Sequence, residues 1–466
     1  MQAPRTGWVI ALTAIGSLMA ALDTLVVASA LSTIQADLGA SLEQLEWTVN
    51  AYNLSFAVLL MTGAALGDRF GRRRLYGIGL GLFTAASAAC ALAPDVGWLI
   101  AARAVQGAGA ALLIPLGLAL LSAAFPPAKR GAAIGVFSAI TGVSVALGPL
   151  VGGAVVQGVS WEWIFWLNVP IGLVALPLVF ARMQESFGGD RAIDLPGLAL
   201  VTGAALGLVW GLVRGNSAGW DSPEVLGALI AGAVLAAGFL AWQLRARAPM
   251  IPPALFRSRA FSAGNVATFF IFGSLFADVF FYSQLLQTGL GHDPLAAGLR
   301  LMPWTATFIT VAPLAGNLAD RIGSRPLLVG GLLLHAAGMI WLALIAEPGM
   351  AYTSLLGPFL LGGAGVSMAI PAAQTAVLAG IAPDAVGKAA GANSMLRELG
   401  GVFGIAIAAA VFAGAGGYAS PQAFVDGFGP AIGVSAALAL AGAVAALVLP
   451  ARNIAPALPA LQPEEA

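Results

Sequence analysis

Fourteen stretches of roughly twenty apolar residues follow one another along this chain, separated by short polar connections. They begin near Trp8, Leu45, Leu75, Trp98, Gly131, Trp163, Leu195, Pro223, Ala260, Leu295, Leu327, Thr353, Ala389 and Phe428. A run of that length crosses the hydrocarbon core of a bilayer as a helix, because lipid offers no partner to an unpaired backbone amide. Charged residues are only 9% of the 466, against about 25% in soluble proteins, so the chain lacks the polar surface to cover itself in water. The expected fold is an all-α polytopic membrane protein with fourteen transmembrane helices. Secreted domains, nucleic-acid binders and soluble enzymes are excluded.

The side-chain inventory excludes further chemistry. One cysteine, Cys90, allows no disulfide and no thiolate cluster. Two histidines, His292 and His335, are too few and too scattered for a metal site, and they read, like Cys90, as packing or surface residues. No G-x-x-x-x-G-K-[ST] motif is present, so nothing marks an ATP-driven machine. No cofactor is expected.

The placement of charge gives the orientation. If the N-terminus is cytoplasmic, 17 of the 21 basic residues fall on the inner side, among them Arg69, Arg72, Arg73, Arg74, Arg245, Arg247, Arg321, Arg325 and Lys388. Arg214 alone falls outside, and Arg103, Arg300 and Arg397 lie within spans. That asymmetry is what the positive-inside rule demands, and moving the count by one helix scrambles it. Both termini are therefore expected in the cytoplasm, with the chain in the cell membrane. The N-terminus has the look of a signal peptide, but its apolar run is too long and Asp23 interrupts it.

The sequence also repeats itself. At an offset of 256, Gly107-Ala108-Gly109 recurs as Gly363-Ala364-Gly365 and Ile114-Pro115 as Ile370-Pro371. At 252, Asp68-Arg69-Phe70-Gly71 recurs as Asp320-Arg321-Ile322-Gly323. Two six-helix halves in parallel orientation are a known transporter plan. They imply six helices in residues 1–185, two inserted helices in 186–250, six more in 251–450, and a short disordered tail at 451–466 rich in Pro and Ala.

These residues resemble the major facilitator superfamily, and within it the fourteen-helix drug:proton antiporter branch. The resemblance rests on Gly67 to Arg74 after the second helix, and on Arg103 followed by Gln106-Gly107-Ala108-Gly109 in the fourth. It also rests on Gly148-Pro149-Leu150-Val151-Gly152-Gly153 in the fifth, which is similar to a motif of antiporters, and on Leu22-Asp23 in the first. Gly135 is retained from the helix-five pattern and Ser144 replaces a glycine of it. The resemblance implies alternating access around a midplane cavity, lined in part by helices one and four.

An ionisable group at membrane depth costs roughly 2.5–3.5 kcal/mol on insertion scales and is a functional candidate by default. Proton antiport needs a carboxylate that is neutral in one state and charged in another; burial favours the neutral form and a nearby cation the charged one. Asp23, tuned by Arg103, is expected to be the principal proton site, the alternative being a static ion pair that fixes packing. Ser274, Asp278 and Tyr282 share a helix face amid phenylalanines that include Phe281. An acid among aromatics suits a lipophilic cation, so Asp278, Phe281, Tyr282 and Gln106 are expected to bind substrate; in the alternative, Asp278 meets water at the outer mouth. Adjacent Arg397 and Glu398 point about 100° apart and should not pair well; they correspond to Thr141 and Gly142 of the first half, and that gained charge suits proton coupling by Glu398, the alternative being a structural pair with other helices. Asp68, Arg69 and Arg72, with Asp320 and Arg321, suit a gating latch, since topology alone needs no aspartate. Gly148, Pro149 and Gly152 suit close packing and a bend at a moving seam. Arg300 reads as snorkelling to an interface.

Export of a lipophilic cationic molecule against protons is the reading these features favour. The partners are then substrate, protons and lipid, with no nucleic acid, and the protein acts as a monomer. Export of a neutral or anionic natural product is the nearest alternative. An intramembrane enzyme would need a nucleophile–base pair or a metal, and a channel a symmetric ring of charges or carbonyls; neither pattern is present.

Overall fold

Each apolar run becomes a helix because every backbone amide must be satisfied within it. The computed structural model describes residues 6–125, 147–188, 193–379 and 385–450, with Phe137 and Ile381. The helices are α1 (Thr6–Leu38), α2 (Leu42–Phe70), α3 (Arg72–Ala91), α4 (Val96–Ala124), α5 (described over Leu147–Gly158), α6 (Trp163–Arg182), α7 (Leu195–Ala218) and α8 (Pro223–Gln243). They continue with α9 (Arg259–Gly289), α10 (Pro294–Arg300 with Met302–Ile322), α11 (Ser324–Ile345), α12 (Tyr352–Leu378), α13 (Val386–Ala415) and α14 (Pro421–Ala446). Thirteen of the described helices are long and apolar enough to cross a membrane; α5 is described over a shorter length. Among the described residues there is no strand. The expected helix-five start near Gly131, together with Gly135, Ser144 and the tail, lies outside the described residues.

Helix starts follow capping chemistry. Ser41 and Gln44 form a reciprocal capping box at α2, and Asp95, Asp194, Ser222, Ser258, Asp293 and Ser420 each accept from a first-turn amide of the helix they open. The repeated Asp-Arg-x-Gly motif has a conformational reason: Gly71 (φ 109°) and Gly323 (φ 87°) each turn one helix into the next at angles closed to other L-residues. Pro115 and Pro371 sit inside α4 and α12 at matching places.

α1–α4 and α6 pack on one another, and so do α9–α14. Call the end carrying Arg69 and Arg72–Arg74 the basic end. At the opposite end the two groups meet tightly. Ser32 and Thr288 hydroxyls lie 3.4 Å apart, and Gln287 donates to the Ser29 carbonyl at 2.9 Å. A Cβ on Gly153 would stand 2.2 Å from the Pro294 carbonyl, and one on Gly298 2.5 Å from that of Pro149. Gly152 rests on Ser29 and the Val26 carbonyl. The Gly-Pro run of α5 is thus wedged between α1 and α10, with a π-helical turn at Leu285–Gly289 beside it.

The α7–α8 hairpin lies along a second seam. Val201, Ala205 and Val209 of α7 pack with Leu54, Ala57 and Val58 of α2 and with Ala392, Met395 and Val402 of α13. Arg214 reaches Glu43 of α2 at 3.2 Å while Asn216 donates to the Ala410 carbonyl of α13. α8 leaves Leu226, Ile230, Val234 and Leu240 exposed, as a lipid-facing helix does.

Candidate functional site

The first polar cluster is built from five helices. Asp23 of α1 lies 3% exposed and Arg103 of α4 fully buried. Arg103 Nη1 donates to Asp23 Oδ2 and, at 2.7 Å, to Gln106 Oε1, while its Nε donates to the Thr48 carbonyl of α2 at 3.1 Å. Gln106, one turn on, donates from Nε2 to Asp23 Oδ1 at 2.8 Å and to Ser87 Oγ of α3 at 2.9 Å. Asn168 of α6 approaches the same carboxylate at 3.4 Å. The guanidinium lies over the Tyr52 ring, 4.3 Å from its centroid. Both carboxylate oxygens and much of the guanidinium are therefore engaged, as a buried pair requires. The structure brings the two expected residues together, with Gln106 as a further partner of Asp23 in this conformation.

The second cluster surrounds Asp278, fully buried in α9. Its Oδ2 is 3.2 Å from His335 Nε2 of α11, yet neither oxygen has a hydrogen-bond donor among the described residues. His335 Nδ1 lies 2.8 Å from the Gly362 carbonyl of α12. Ser274 Oγ stands 2.7 Å from His335 Nε2, 2.7 Å from Ser435 Oγ of α14 and 3.0 Å from the Ser435 carbonyl. Tyr282 donates to Met339 Sδ at 2.8 Å and packs against Phe359 and Trp304; Phe281 packs against Phe412. Ser274, Asp278 and Tyr282 do share a face, and it is applied to α11. In this conformation Asp278, Phe281 and Tyr282 are all buried, and Tyr282 also borders a small cleft shared with Ala28, Ser29 and Pro149 of the first group. His335, read from sequence as packing, is the partner of Asp278.

A further correction concerns Arg397 and Glu398, which do pair: Nε and Nη2 each lie 2.8 Å from Glu398 Oε1. The 100° between adjacent Cβ vectors is bridged because the long arginine chain folds back, its head over the Phe272 ring at 5.4 Å. At the basic end Asp68 pairs with Arg72 at 2.7 Å rather than with Arg69, whose guanidinium lies over Phe70. Glu185 accepts from the Arg73 amide at 2.8 Å, and Arg72 N donates to the Ser186 carbonyl, so the segment after α6 straps the α2–α3 turn. Arg321 is exposed, and the Asp320 side chain lies outside what the structure describes. Arg300 donates to the Ala296 carbonyl beside the Tyr352 ring.

Sequence reading passed over a third feature. Glu46, Asn50 and Asn53 lie on one face of α2, at i, i+4 and i+7, and all are buried. Glu46 Oε2 and both polar atoms of each asparagine have no hydrogen-bond partner among the described residues. That helical spacing of polar residues within an apolar run was the available signal.

Helices of spanning length, two groups of them closed at one end, and ion pairs at membrane depth together define a multi-pass membrane transporter. A family model described as the Major Facilitator Superfamily matches residues 13–405 and 265–462, and the chain belongs to that superfamily; it is a transporter and not an enzyme. It is 36% identical to the tetracenomycin C resistance and export protein of Streptomyces glaucescens, over 95% of this chain and 82% of that protein. It is 35% identical to the multidrug resistance protein Stp of Mycobacterium tuberculosis over 86% and 75%, and 34% identical to the puromycin resistance protein pur8 of Streptomyces alboniger over 91% and 86%. In fold it is similar to a peptide transporter crystallised with sulfate (TM-score 0.68, 16% identity, 96% of each chain). It is also similar to the xylose transporter XylE of E. coli (TM-score 0.61, 15% identity, 94% of this chain and 96% of that one).

Proposed function

We propose that the protein exports lipophilic, cationic drug-like molecules across the cell membrane in exchange for protons, using fourteen spans and alternating access. The halves are residues 1–185 and 251–450, with 186–250 inserted and both termini in the cytoplasm. The relatives' names, which refer to tetracenomycin C, puromycin and multidrug resistance, support drug efflux.

The observation that carries proton coupling is the buried Asp23–Arg103 pair. Arginine keeps its charge at any physiological pH, so only Asp23 can carry the proton here. Protonating Asp23 removes the ionic bond and leaves Arg103 held by the Thr48 carbonyl, Gln106 and the Tyr52 ring. This loosens α4 from α1, the helix whose Ser29 and Ser32 contact the second half, so that α1 can shift against α9. Losing the proton restores the pair. Substrate polar groups would be met in the seam by Glu46, Asn50 and Asn53, whose unpaired atoms support that role. Glu398, steadied by Arg397, stands as a second coupling carboxylate on α13. Asp68 with Arg72, and Asp320 with Arg321, would act as latches at the basic end, and Gly148, Pro149 and Gly152 as the far-end gate.

The test is internal pH in inverted vesicles that hold an acidic interior and carry the protein. Adding a lipophilic cation should drive proton efflux from the lumen, and Asp23→Asn should abolish it. An unchanged response in Asp23→Asn removes Asp23 from the mechanism. A response to neutral or anionic compounds alone supports the second substrate class.

A further inference from the structure

The two buried acids are near-counterparts, at an offset of 255, in the first helix of each repeat. Their cations are not. Gly109 approaches the Phe83 amide and the Gly79 carbonyl; Gly365 approaches the His335 amide and the Gly331 carbonyl in the same way. Position 83 therefore corresponds to 335, and position 103 to 359 at the offset of 256. The first half places an arginine on its fourth helix opposite an apolar Phe83. The second half places His335 on the helix equivalent to α3, opposite an apolar Phe359. Gln106, which ties the first acid, is replaced by Gly362, whose carbonyl holds the histidine ring.

We propose that Asp278 and His335 form a second proton-binding centre, in the second half of the molecule, which stores an exchangeable proton shared between carboxyl and imidazole. The carbonyl of Gly362 can only accept, so it fixes a hydrogen on Nδ1 and leaves Nε2 facing Asp278 and Ser274. Neutral His335 accepts at Nε2 from the Ser274 hydroxyl or from a protonated Asp278. Charged His335 donates from Nε2, and the Ser274 hydroxyl turns to the Ser435 carbonyl 3.0 Å away. Each protonation state thus finds its hydrogen bonds without the backbone moving. A carboxylate at this depth whose polar neighbours are one imidazole and the Tyr282 phenol is expensive to keep charged, so a proton on the pair compensates it. Other ionisable groups face elsewhere, apart from the Tyr282 phenol on the same α9 face: Arg300 lies beside Tyr352, Arg397 and Glu398 bind each other, and Asp426 is exposed beside Gln422. The pair's titration is a joint property of the two groups.

This centre enters transport only through the proton coupling proposed above, but its proton binding is separately measurable. The chain has two histidines, so 15N-histidine protein in lipid nanodiscs gives two ring systems, and His292→Gln identifies that of His335. The expected result is an Nδ1-protonated ring whose Nε2 gains and loses a proton across the accessible pH range. In Asp278→Asn the imidazolium signal should be lost from that range, because the charged ring loses its counter-charge. A ring that stays in one state from pH 5 to 9 in the unmodified protein overturns the proposal, as does a titration that Asp278→Asn leaves in place. In vesicles, Asp278→Asn should lower the protons moved per substrate. If the unmodified protein moves no protons with any substrate, the antiport reading falls while the titration still decides the pair.

Discussion

The two halves of the molecule solve one problem with different chemistry. Each buries an aspartate in its first helix. Asp23 is saturated: Arg103, Gln106 and Asn168 all approach it, and the arginine is itself tied to Thr48 and Tyr52. Asp278 faces one imidazole nitrogen and has no hydrogen-bond donor among the described residues. A permanent cation holds its acid charged until something displaces it, whereas a titratable partner lets the pair take up or give back a proton in place. Duplicated architecture therefore need not mean duplicated function: a cation moved to the neighbouring helix and changed from arginine to histidine alters what the site can do.

The sharpest way to break this comparison is to remove each cation. Arg103→Leu leaves a buried carboxylate with only neutral donors and should cost about 3–5 kcal/mol. His335→Leu should cost less, about 1–3 kcal/mol, because it removes a titratable partner rather than a permanent cation. Thermal unfolding in detergent at neutral pH compares them, and equal losses would mean the two acids share one charge state. Next come the backbone contacts beneath the clusters. Gly365→Ala should destabilise more than Gly109→Ala, both by about 1–3 kcal/mol, since the added carbon meets an amide nitrogen at 2.4 Å in one and 2.8 Å in the other; Gly365→Ala should also displace His335. Ser274→Ala should cost about 1 kcal/mol and shift the His335 ring signal while leaving the Asp23 cluster untouched.

The smallest effect serves as a control. Burial pushes the half-exposed Asp194 carboxyl up, but bonds from Trp242, Gly197, Gln243 and Met250 outweigh it and hold the group below the usual range. Its contribution is present above the unfolded value near 3.9 and is lost as pH falls through the folded one. Asp194→Asn should therefore flatten unfolding curves only below about pH 4.

Much of this was legible beforehand. Twelve helices start within a few residues of the expected sites, while α14 begins at Pro421 rather than near Phe428 because Ser420 supplies an earlier cap. Asp23 and Arg103 were picked out by charge at depth, and Asp278 likewise. His335 met the same criterion and was passed over, since an isolated histidine in an apolar run has no partner within reach along its own helix. Arg397 and Glu398 were separated by helix geometry that a folded-back side chain overrides. The face formed by Glu46, Asn50 and Asn53 went unread because isolated amides in an apolar run look like ordinary packing.

By itself, the sequence determined which segments are helices, which end of the bundle is basic, that its motifs recur, and that Asp23, Arg103 and Asp278 lie at membrane depth. Hydropathy, charge and periodicity are properties of a single helix and need no neighbour to be read. Tertiary structure alone decided the other pairings: Gln106 with Asp23, Asp278 with His335, Asp68 with Arg72 rather than Arg69. A buried charge takes the partner that helix packing brings within about 3 Å, and in a bundle of long helices that partner is fixed by which faces meet.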